Sequence, residues 1–188
     1  MRDPQQPSEL IGQDGVAVSD RLARLWTPHR MAYIKAEADT GRDDPAGEHT
    51  CPFCRIPTLE DREGLVLARG ELVYSVLNLH PYNPGHLMVV PVRHVAGYED
   101  LTPAESAELA VFTQAALRAV RSVSAPHGFN VGMNLGGVAG GSLADHLHQH
   151  VVPRWSGDAN FITVLAQTKV IPQLLADTRD LVAGAWPR

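Results

Sequence analysis

Three histidines occupy alternate positions in the segment His146-Leu147-His148-Gln149-His150, and an apolar run follows them. This pattern predicts a β-strand, and alternate side chains of a strand share one face, so we expect the three rings to lie together. Near neutral pH an imidazole can act as a nucleophile, a general acid or a metal ligand. Burying three of them as ordinary core would cost too much desolvation. The segment therefore indicates nucleophilic chemistry or a histidine-bound catalytic metal, with a solvated histidine-rich strand as the alternative.

Length and composition limit what else the chain can be. Its 188 residues are 44% hydrophobic and 20% charged, which suits one domain with one core. A formal charge of −5 argues against binding to a nucleic-acid backbone. Neither a membrane-spanning apolar run nor a secretory signal is evident in the sequence. We therefore expect a cytoplasmic protein that binds neither nucleic acid nor a membrane.

The first 50 residues differ in pattern from the rest. Residues 1–18 are rich in Pro, Gln, Gly and Asp, which predicts a loosely ordered tail. Apolar residues with helical spacing follow Ser19 and continue to Ile34, with a break or restart at Pro28. We expect residues 1–50 to be an N-terminal tail and helical extension, serving as an oligomerisation segment or as a lid, and residues 51–188 to form the catalytic domain.

The remaining elements predict an α+β fold. Thr102-Pro103-Ala104-Glu105 is a capping box with proline in the first helical position, and it opens a helix that should end near Ser124. Thr168 to Val182 predicts a closing helix, although Pro172 leaves its start open. Strands are predicted at 64–68, 71–78, 86–92 and 129–134, followed by the histidine strand. Antiparallel hairpins with one long helix indicate a sheet covered by helices.

A glycine-rich loop, Gly136 to Ser142, precedes the histidine strand. Glycines let successive backbone N–H groups turn toward an anion. The loop lacks the Lys-Ser/Thr ending of a P-loop, and a strand follows it where a dinucleotide fingerprint would open a helix. It is therefore either an anion-binding loop next to the histidines or a plain hairpin connection.

The stretch from Glu71 to Arg154 resembles the histidine-triad family of nucleotide transferases and hydrolases. The alternation of histidines and apolar residues from His146 to Val152 matches that family's signature, and Pro84-Gly85-His86 is similar to its Pro-Gly-His segment. One departure is Gln149, which stands where the family usually has an apolar residue. On a strand it would point away from the histidines, so the departure concerns the packing behind them. The resemblance implies an antiparallel sheet flanked by helices.

The resemblance also implies residue roles. His148 would be the nucleophile that attacks the α-phosphorus of a nucleotide, and covalent capture on histidine divides one difficult displacement into two easier ones. His150, Ser142, Asn134 and the amide of Gly141 would donate to the phosphoryl oxygens or the leaving group. No acidic cluster suited to magnesium is evident near these segments, so we expect no obligatory catalytic metal.

Three further residues are candidates for substrate contact, each with a structural alternative. Asn78 would bind the ribose hydroxyls or cap a loop. His86 would line the phosphate subsite or sit at a strand end bonded to backbone. Trp155 would form a wall near the phosphate or base, or it would be a large core residue.

The two cysteines, Cys51 and Cys54, form a C-x-x-C pair that is half of a zinc site or a redox pair. Some histidine-triad proteins complete such a pair with two histidines, which here correspond to His94 and His146. The resemblance thus implies a structural Cys2His2 zinc site. Surface thiols without metal are the alternative.

Other segments resemble the bacterial branch of the family that contains diadenosine tetraphosphate phosphorylases. They are 25–33, 139–146 and 153–161. That branch has Gly-Ser where hydrolases and phosphoramidases commonly have Gly-Gln, and here the pair is Gly141-Ser142. We expect the small side chain to leave room for inorganic phosphate, so that an adenine dinucleotide is cleaved by phosphorolysis. The alternatives are a related hydrolase or phosphoramidase and, more remotely, a non-catalytic nucleotide-binding module. A homodimer is expected, with a homotetramer as the alternative.

Overall fold

The computed structural model describes residues 9–11, 17–19, 51–139, 143–158 and 173–187. By its contacts the chain divides into two units, Met1–Gly41 and Arg42–Arg188. An antiparallel sheet with helices lies in the second unit, so the predicted α+β class is confirmed. The domain boundary at residue 50 stays a prediction. Within the described residues, none of the helices combines the length and apolar character needed to span a bilayer.

In the first unit, the described residues pair as two short strands. Strands β1 (Glu9–Ile11) and β2 (Ala17–Ser19) are antiparallel. The prediction of a loosely ordered tail is therefore wrong for these six residues. Short apolar stretches on either side of a Gly-containing connection can pair as a hairpin even where the overall composition is polar. The helix predicted after Ser19 lies outside the described residues.

Five antiparallel strands form the sheet of the second unit, in the order β3-β4-β5-β7-β6. Their bounds are β3 (Val66–Arg69), β4 (Val73–Leu77), β5 (Leu87–Pro91), β6 (Gly128–Met133) and β7 (Gln149–Arg154). Strand β7 comes last in the chain and inserts between β5 and β6. Strand β7 is therefore an interior strand, and its hydrogen bonds to both neighbours fix the direction of its side chains.

Strands β4 and β5 are buried on both faces, because each face of the sheet is covered by a different cluster. One cluster lies under the helices and includes Val73, Leu77, Leu87 and Val89. The other surrounds Phe53 and includes Tyr74, Val76, Met88 and Val90. Coverage on both sides explains the nearly continuous apolar sequence of these strands. It also gives the sheet a second buried face, on which the histidines lie.

Within the described residues, three α-helices accompany the sheet. The one-turn helix α1 (Pro52–Arg55) contains Cys54 and has Cys51 as its N-cap, α2 (Pro103–Ser124) packs on the sheet, and α3 (Leu175–Gly184) contacts β3 and α2. Short 3-10 turns occur at Ile56–Thr58, Tyr98–Asp100 and Gly137–Ala139. Helix α3 begins at Leu175, so residues 173 and 174 of the predicted closing helix are not helical. Residues 168–172 of the predicted closing helix lie outside the described residues.

The predicted capping box at the start of α2 is present and has an additional partner. The Thr102 side chain accepts from the Glu105 N–H, and the Glu105 carboxylate accepts from the Thr102 N–H. The same carboxylate binds the Arg93 guanidinium with two bonds of 2.8 Å. Arg93 holds the pKa of Glu105 at about 2, and the cap bonds act in the same direction. The start of α2 is thereby tied to the segment that contains His94.

Replacing Glu105 by Gln should lower the free energy of unfolding by about 2 kcal/mol at pH 7, because a charge-assisted pair and a cap are weakened together. The pKa of Glu105 is lowered on folding, so its stabilising effect exists above the unfolded value of 4.5 and disappears as pH falls toward 2. Urea unfolding of wild type, Glu105→Gln and the exposed control Glu71→Gln across this range measures the effect. An equal loss in both variants, or a difference that persists unchanged to pH 2, would contradict it.

Candidate active site

The three histidines do not all lie on one strand. Strand β7 begins at Gln149, so His146 and His148 precede it and only His150 belongs to the ladder. The predicted strand is therefore too long at its start, because Leu147 bonds to Val95 outside the sheet. The rings of His148 and His150 remain neighbours, with centroids 4.9 Å apart. The ring of His146 contacts the cysteines instead.

His148 is held as a neutral ring with one free lone pair. It is buried, and its Nδ1 lies 2.9 Å from the His146 carbonyl oxygen. A carbonyl only accepts, so Nδ1 carries the proton and donates, which leaves the lone pair on Nε2. Burial lowers the pKa of His148, which keeps the ring unprotonated near pH 7. The Nε2 atom thus has the properties of a nucleophile.

His150 is fixed in the opposite tautomer by a chain of hydrogen bonds. The Tyr82 N–H donates to His86 Nδ1 at 3.0 Å, so the proton of a neutral His86 is on Nε2. That N–H donates to His150 Nδ1 at 2.9 Å. His150 therefore carries its own proton on Nε2. Burial is the main cause that lowers the pKa of His150 to about 4, and a proton on neighbouring His148 would lower it in the same direction, so His150 acts as a neutral donor.

The ring of Phe53 packs against both His148 and His146. Its centroid lies 4.9 Å from that of His148 and 5.5 Å from that of His146. Phe53 is buried and its carbonyl accepts from the Tyr74 hydroxyl at 2.7 Å. The cysteine-containing turn thereby supplies an aromatic support for the ring of His148.

A cavity of about 830 Å³ opens beside His148 and His150. Such a volume lies within the range of small-molecule pockets. Its lining is mainly apolar with a few polar groups, and includes Phe53, Ile56, Leu59, Leu65, Leu77, Asn78, Met88, Asn134 and Leu143. We call it the apolar cavity. It suits a flat ring bound next to a reacting group, as in a nucleoside.

Two predicted substrate residues, Asn78 and Asn134, line the apolar cavity. The Asn78 side-chain oxygen also accepts from the His80 N–H at 2.9 Å. Asn78 therefore caps the loop, which was the alternative to a role in substrate binding. Its amide Nδ2 lies 3.4 Å from His86 Nδ1, at the long end for a hydrogen bond. Gly141 and Ser142 lie outside the described residues, and their roles stay predictions.

Two other predicted contacts lie elsewhere. His86 is fully buried between the Tyr82 N–H and His150, so it supports His150 and does not line the apolar cavity. This arrangement corresponds to the backbone-bonded alternative. Trp155 donates from Nε1 to the Ser124 carbonyl at 3.2 Å and lines a small pocket with α2 and α3 residues. It is absent from the lining of the apolar cavity because it follows the end of β7 and packs beside the helices.

The unusual Gln149 is accommodated by a single partner. Its side chain is buried on the helix side of the sheet, and its Nε2 donates to the Thr113 hydroxyl of α2 at 2.6 Å. A hydrogen bond to α2 stands where the resemblance implied an apolar contact. The packing behind the histidines is therefore intact.

Cys51, Cys54, His94 and His146 form a cluster in which all four ligand atoms lie within 4.8 Å of one another. Sulfur-to-nitrogen distances are 3.3 Å from Cys51 to His146 and 3.2 Å from Cys54 to His94. A tetrahedral metal with typical Zn–S and Zn–N bonds separates such ligands by about 3.5 Å. The four residues can hold a metal ion, as the sequence predicted.

The ring of His146 is prepared for metal binding. Its Nε2–H donates to the Pro91 carbonyl at 2.9 Å, which leaves Nδ1 unprotonated and directed at the cysteines. Burial lowers the pKa of His146 to about 4, so the ring is neutral and available as a ligand. Because the carbonyl of this residue also accepts from His148, the cysteine–histidine cluster and His148 are linked through one residue.

Comparisons with known proteins agree with this geometry. The model of the HIT domain family matches residues 61–157, which is more than half of the chain. This chain belongs to the HIT family.

Among its HIT relatives, an AP-4-A phosphorylase of Mycobacterium tuberculosis is 64% identical over 187 residues, which cover 99% of this chain and 95% of the relative. A Schizosaccharomyces pombe protein named asymmetrical bis(5'-nucleosyl)-tetraphosphatase is 33% identical over 93 residues, half of each chain. A solved zinc-bound histidine triad protein of Mycobacterium smegmatis superposes with a TM-score of 0.59 at 26% identity, covering 74% of this chain and 94% of that one.

Sequence reasoning did not identify the supporting residues of this HIT-family site. Phe53 could have been found, because it lies between the two cysteines that were singled out. The backbone N–H of Tyr82 carries no signal in its side-chain type, although the tautomer of His86 depends on it. Arg93, the neighbour of His94, makes a bidentate contact with Glu105. The two residues are 12 positions apart, so no local sequence pattern indicates this contact.

Replacing His94 by Asn should abolish metal binding and lower Tm by about 10 °C, because the link between the cysteine turn and the central sheet is lost. Metal content by plasma emission spectroscopy and Tm by calorimetry measure both effects. His80→Asn changes an exposed histidine outside the cluster and should retain the metal. Chelation of wild type should lower stability more than the activity of protein that remains folded. Full metal content in His94→Asn would contradict the assignment.

Proposed function

We propose that this protein cleaves diadenosine tetraphosphate with inorganic phosphate, giving ATP and ADP through a nucleotidyl-histidine intermediate. The observation that carries the proposal is the unprotonated Nε2 of a buried, neutral His148 beside the apolar cavity. The 64% identity to a protein named AP-4-A phosphorylase supports this choice within the family.

In the first step, His148 Nε2 attacks the α-phosphorus of one adenosine. A bond forms between nitrogen and phosphorus, the bond to the bridging oxygen of the β-phosphate breaks, and ATP leaves. In the second step, an oxygen of inorganic phosphate attacks the same phosphorus. The nitrogen–phosphorus bond breaks, ADP leaves, and the lone pair returns to His148.

The charge that develops on phosphoryl oxygens needs prepared donors. His150 offers its Nε2–H, since Nδ1 already accepts from His86. Asn134 lines the apolar cavity together with His148 and His150. We further assign donor roles to Ser142 and the Gly141 amide. Asn78, which lines the same cavity, is assigned to the ribose hydroxyls.

We infer that the metal of the Cys2His2 cluster is zinc and that its role is structural. Two thiolates and two imidazoles in tetrahedral reach are the ligands that zinc prefers. All four residues are used as ligands, which leaves no open position for substrate. The metal would hold His146, whose carbonyl orients His148, and the chemistry at phosphorus would need no catalytic metal.

A hydrolase or phosphoramidase is the second candidate, since relatives with both kinds of name are similar to part of this chain. We favour phosphorolysis because Ser142 is small enough to leave room for phosphate next to the nucleotidyl-histidine. A module without turnover is less consistent with the prepared state of His148. We expect the protein to act in the cytoplasm as a homodimer or homotetramer.

Replacing His148 by Ala should lower turnover of diadenosine tetraphosphate by about 10⁴-fold or more, since no other group supplies the nucleophile. Mass spectrometry of acid-sensitive adducts should show one added AMP group on wild type without phosphate and none on the variant. His127→Ala, an exposed histidine outside the site, is the matched control and should form the adduct. Ordinary turnover by His148→Ala would overturn the mechanism.

Product analysis with Ser142→Gln tests the choice between phosphate and water. Wild type with phosphate should give ATP and ADP, and should slow strongly when phosphate is omitted. The larger amide should displace phosphate and shift the second product from ADP toward AMP, as resolved by ion-exchange chromatography. Ser142→Ala, which keeps the small volume, should still give ADP. An unchanged product ratio in Ser142→Gln would remove the size argument.

A further inference from the structure

A second cavity, of about 420 Å³, lies on the other side of His150 along the β6–β7 face of the sheet. Its lining contains polar side chains and one guanidinium, and comprises Tyr82, Asn83, Asn130, Val131, Gly132, Met133, Asn134, His150, Val152, Arg154 and Asp158. We call it the β6 groove. It shares Tyr82, Asn134 and His150 with the apolar cavity, whereas His148 lines only the apolar cavity.

The groove follows a row of side chains along strand β7. His150, Val152 and Arg154 alternate with residues of the opposite face, so they share one side of the sheet. Four residues of extended strand separate His150 from Arg154 by about 13 Å. A chain of several phosphates can extend over such a distance. The row therefore extends from His150, the proposed donor to the phosphoryl oxygens, to the guanidinium of Arg154.

Strand β6 leaves space above this row. Gly132 is the register partner of His150, and a Cβ built on it would meet no atom within 4 Å. Asn130 is the register partner of Val152 and is exposed. The groove is thus open next to His150 because a glycine faces it, and its far end is polar.

Arg154 retains donors for a ligand although it is paired. Its Nε and Nη2 bind Asp158, and its Nη1 donates to Asn130 Oδ1 at 2.8 Å. A guanidinium has five N–H groups, so two remain, and half of the side chain is exposed. Asp158 is also satisfied by the Asn83 amide and the Trp155 N–H, which reduces its repulsion of an anion.

The two cavities therefore differ in the chemistry they offer to the two ends of a dinucleotide. The apolar cavity suits a base and ribose, and the β6 groove suits phosphates. In an in-line displacement the leaving oxygen departs on the side opposite to the nucleophile. His150 lines both cavities whereas His148 lines only the apolar cavity, so the groove begins next to the ring that neighbours His148.

We propose that the β6 groove binds the phosphate chain of the departing nucleotide and, after its release, the acceptor phosphate. The inference rests on the proposed function and adds a binding site for the phosphates of the nucleotide that leaves in the first step. Arg154 and Asn130 contact the distal phosphates, and Gly132 provides the open space.

The test compares a long and a short leaving group. Asn130→Asp preserves shape but places a carboxylate against Arg154, and Gly132→Val fills the space next to His150 without a backbone clash. Both variants should lower kcat/KM for diadenosine tetraphosphate at least tenfold and raise the KM for phosphate. Their kcat/KM for adenosine 5'-phosphoramidate, whose leaving group is ammonia, should change less than twofold. Gln114→Glu adds the same charge on exposed α2 and should behave as wild type.

Binding of inorganic tripolyphosphate, measured by calorimetry, provides a readout that needs no turnover. Wild type should bind it, Asn130→Asp should bind at least tenfold more weakly, and Gln114→Glu should be unchanged. Equal losses with the long and short leaving groups, or tripolyphosphate binding that Asn130→Asp leaves unaltered, would overturn the inference. A wild type that releases AMP in place of ADP would instead contradict phosphorolysis, while the comparison of leaving groups would still decide the role of the groove.

Discussion

The account depends on one hydrogen bond, the donation from His148 Nδ1 to the carbonyl of His146 over 2.9 Å. That bond selects which nitrogen keeps its lone pair, and it fixes the plane in which the lone pair lies. The acceptor belongs to a residue whose ring is directed at two cysteines, so the candidate metal cluster and the proposed nucleophile meet within three residues. Any change that moves the His146 backbone would move the reacting atom.

Burial and sheet topology make this arrangement possible. Strand β7 is inserted between β5 and β6, which brings a C-terminal segment into contact with the Pro-Gly-His segment and the cysteine turn. Two neighbouring imidazoles would repel each other if both were charged, and burial favours the neutral form of each. His148 and His150 are then distinguished by their partners alone. One presents a lone pair and the other an N–H, although the two side chains are chemically the same.

The element types and the main site could be predicted from the sequence because they depend on local patterns. Capping residues and apolar runs identified α2 and the sheet strands, and the spacing of the histidines identified the segment whose rings meet beside the apolar cavity. What the sequence could not provide depends on contacts between distant segments. The burial of His86 against His150 and the position of Trp155 beside Ser124 are set by how the sheet edge meets the helices. The strand start at Gln149 likewise follows from the bond between Leu147 and Val95, a tertiary contact.

The tautomers of the two catalytic rings can be observed directly. Long-range nitrogen–proton correlation spectra of protein labelled with ¹⁵N-histidine, assigned with His148→Ala and His150→Ala, distinguish protonated from unprotonated ring nitrogens. At pH 7 the account predicts that His148 is protonated at Nδ1 and His150 at Nε2. A His148 ring protonated at Nε2, doubly protonated or bound to a metal would contradict it, because no lone pair would then face the nucleotide.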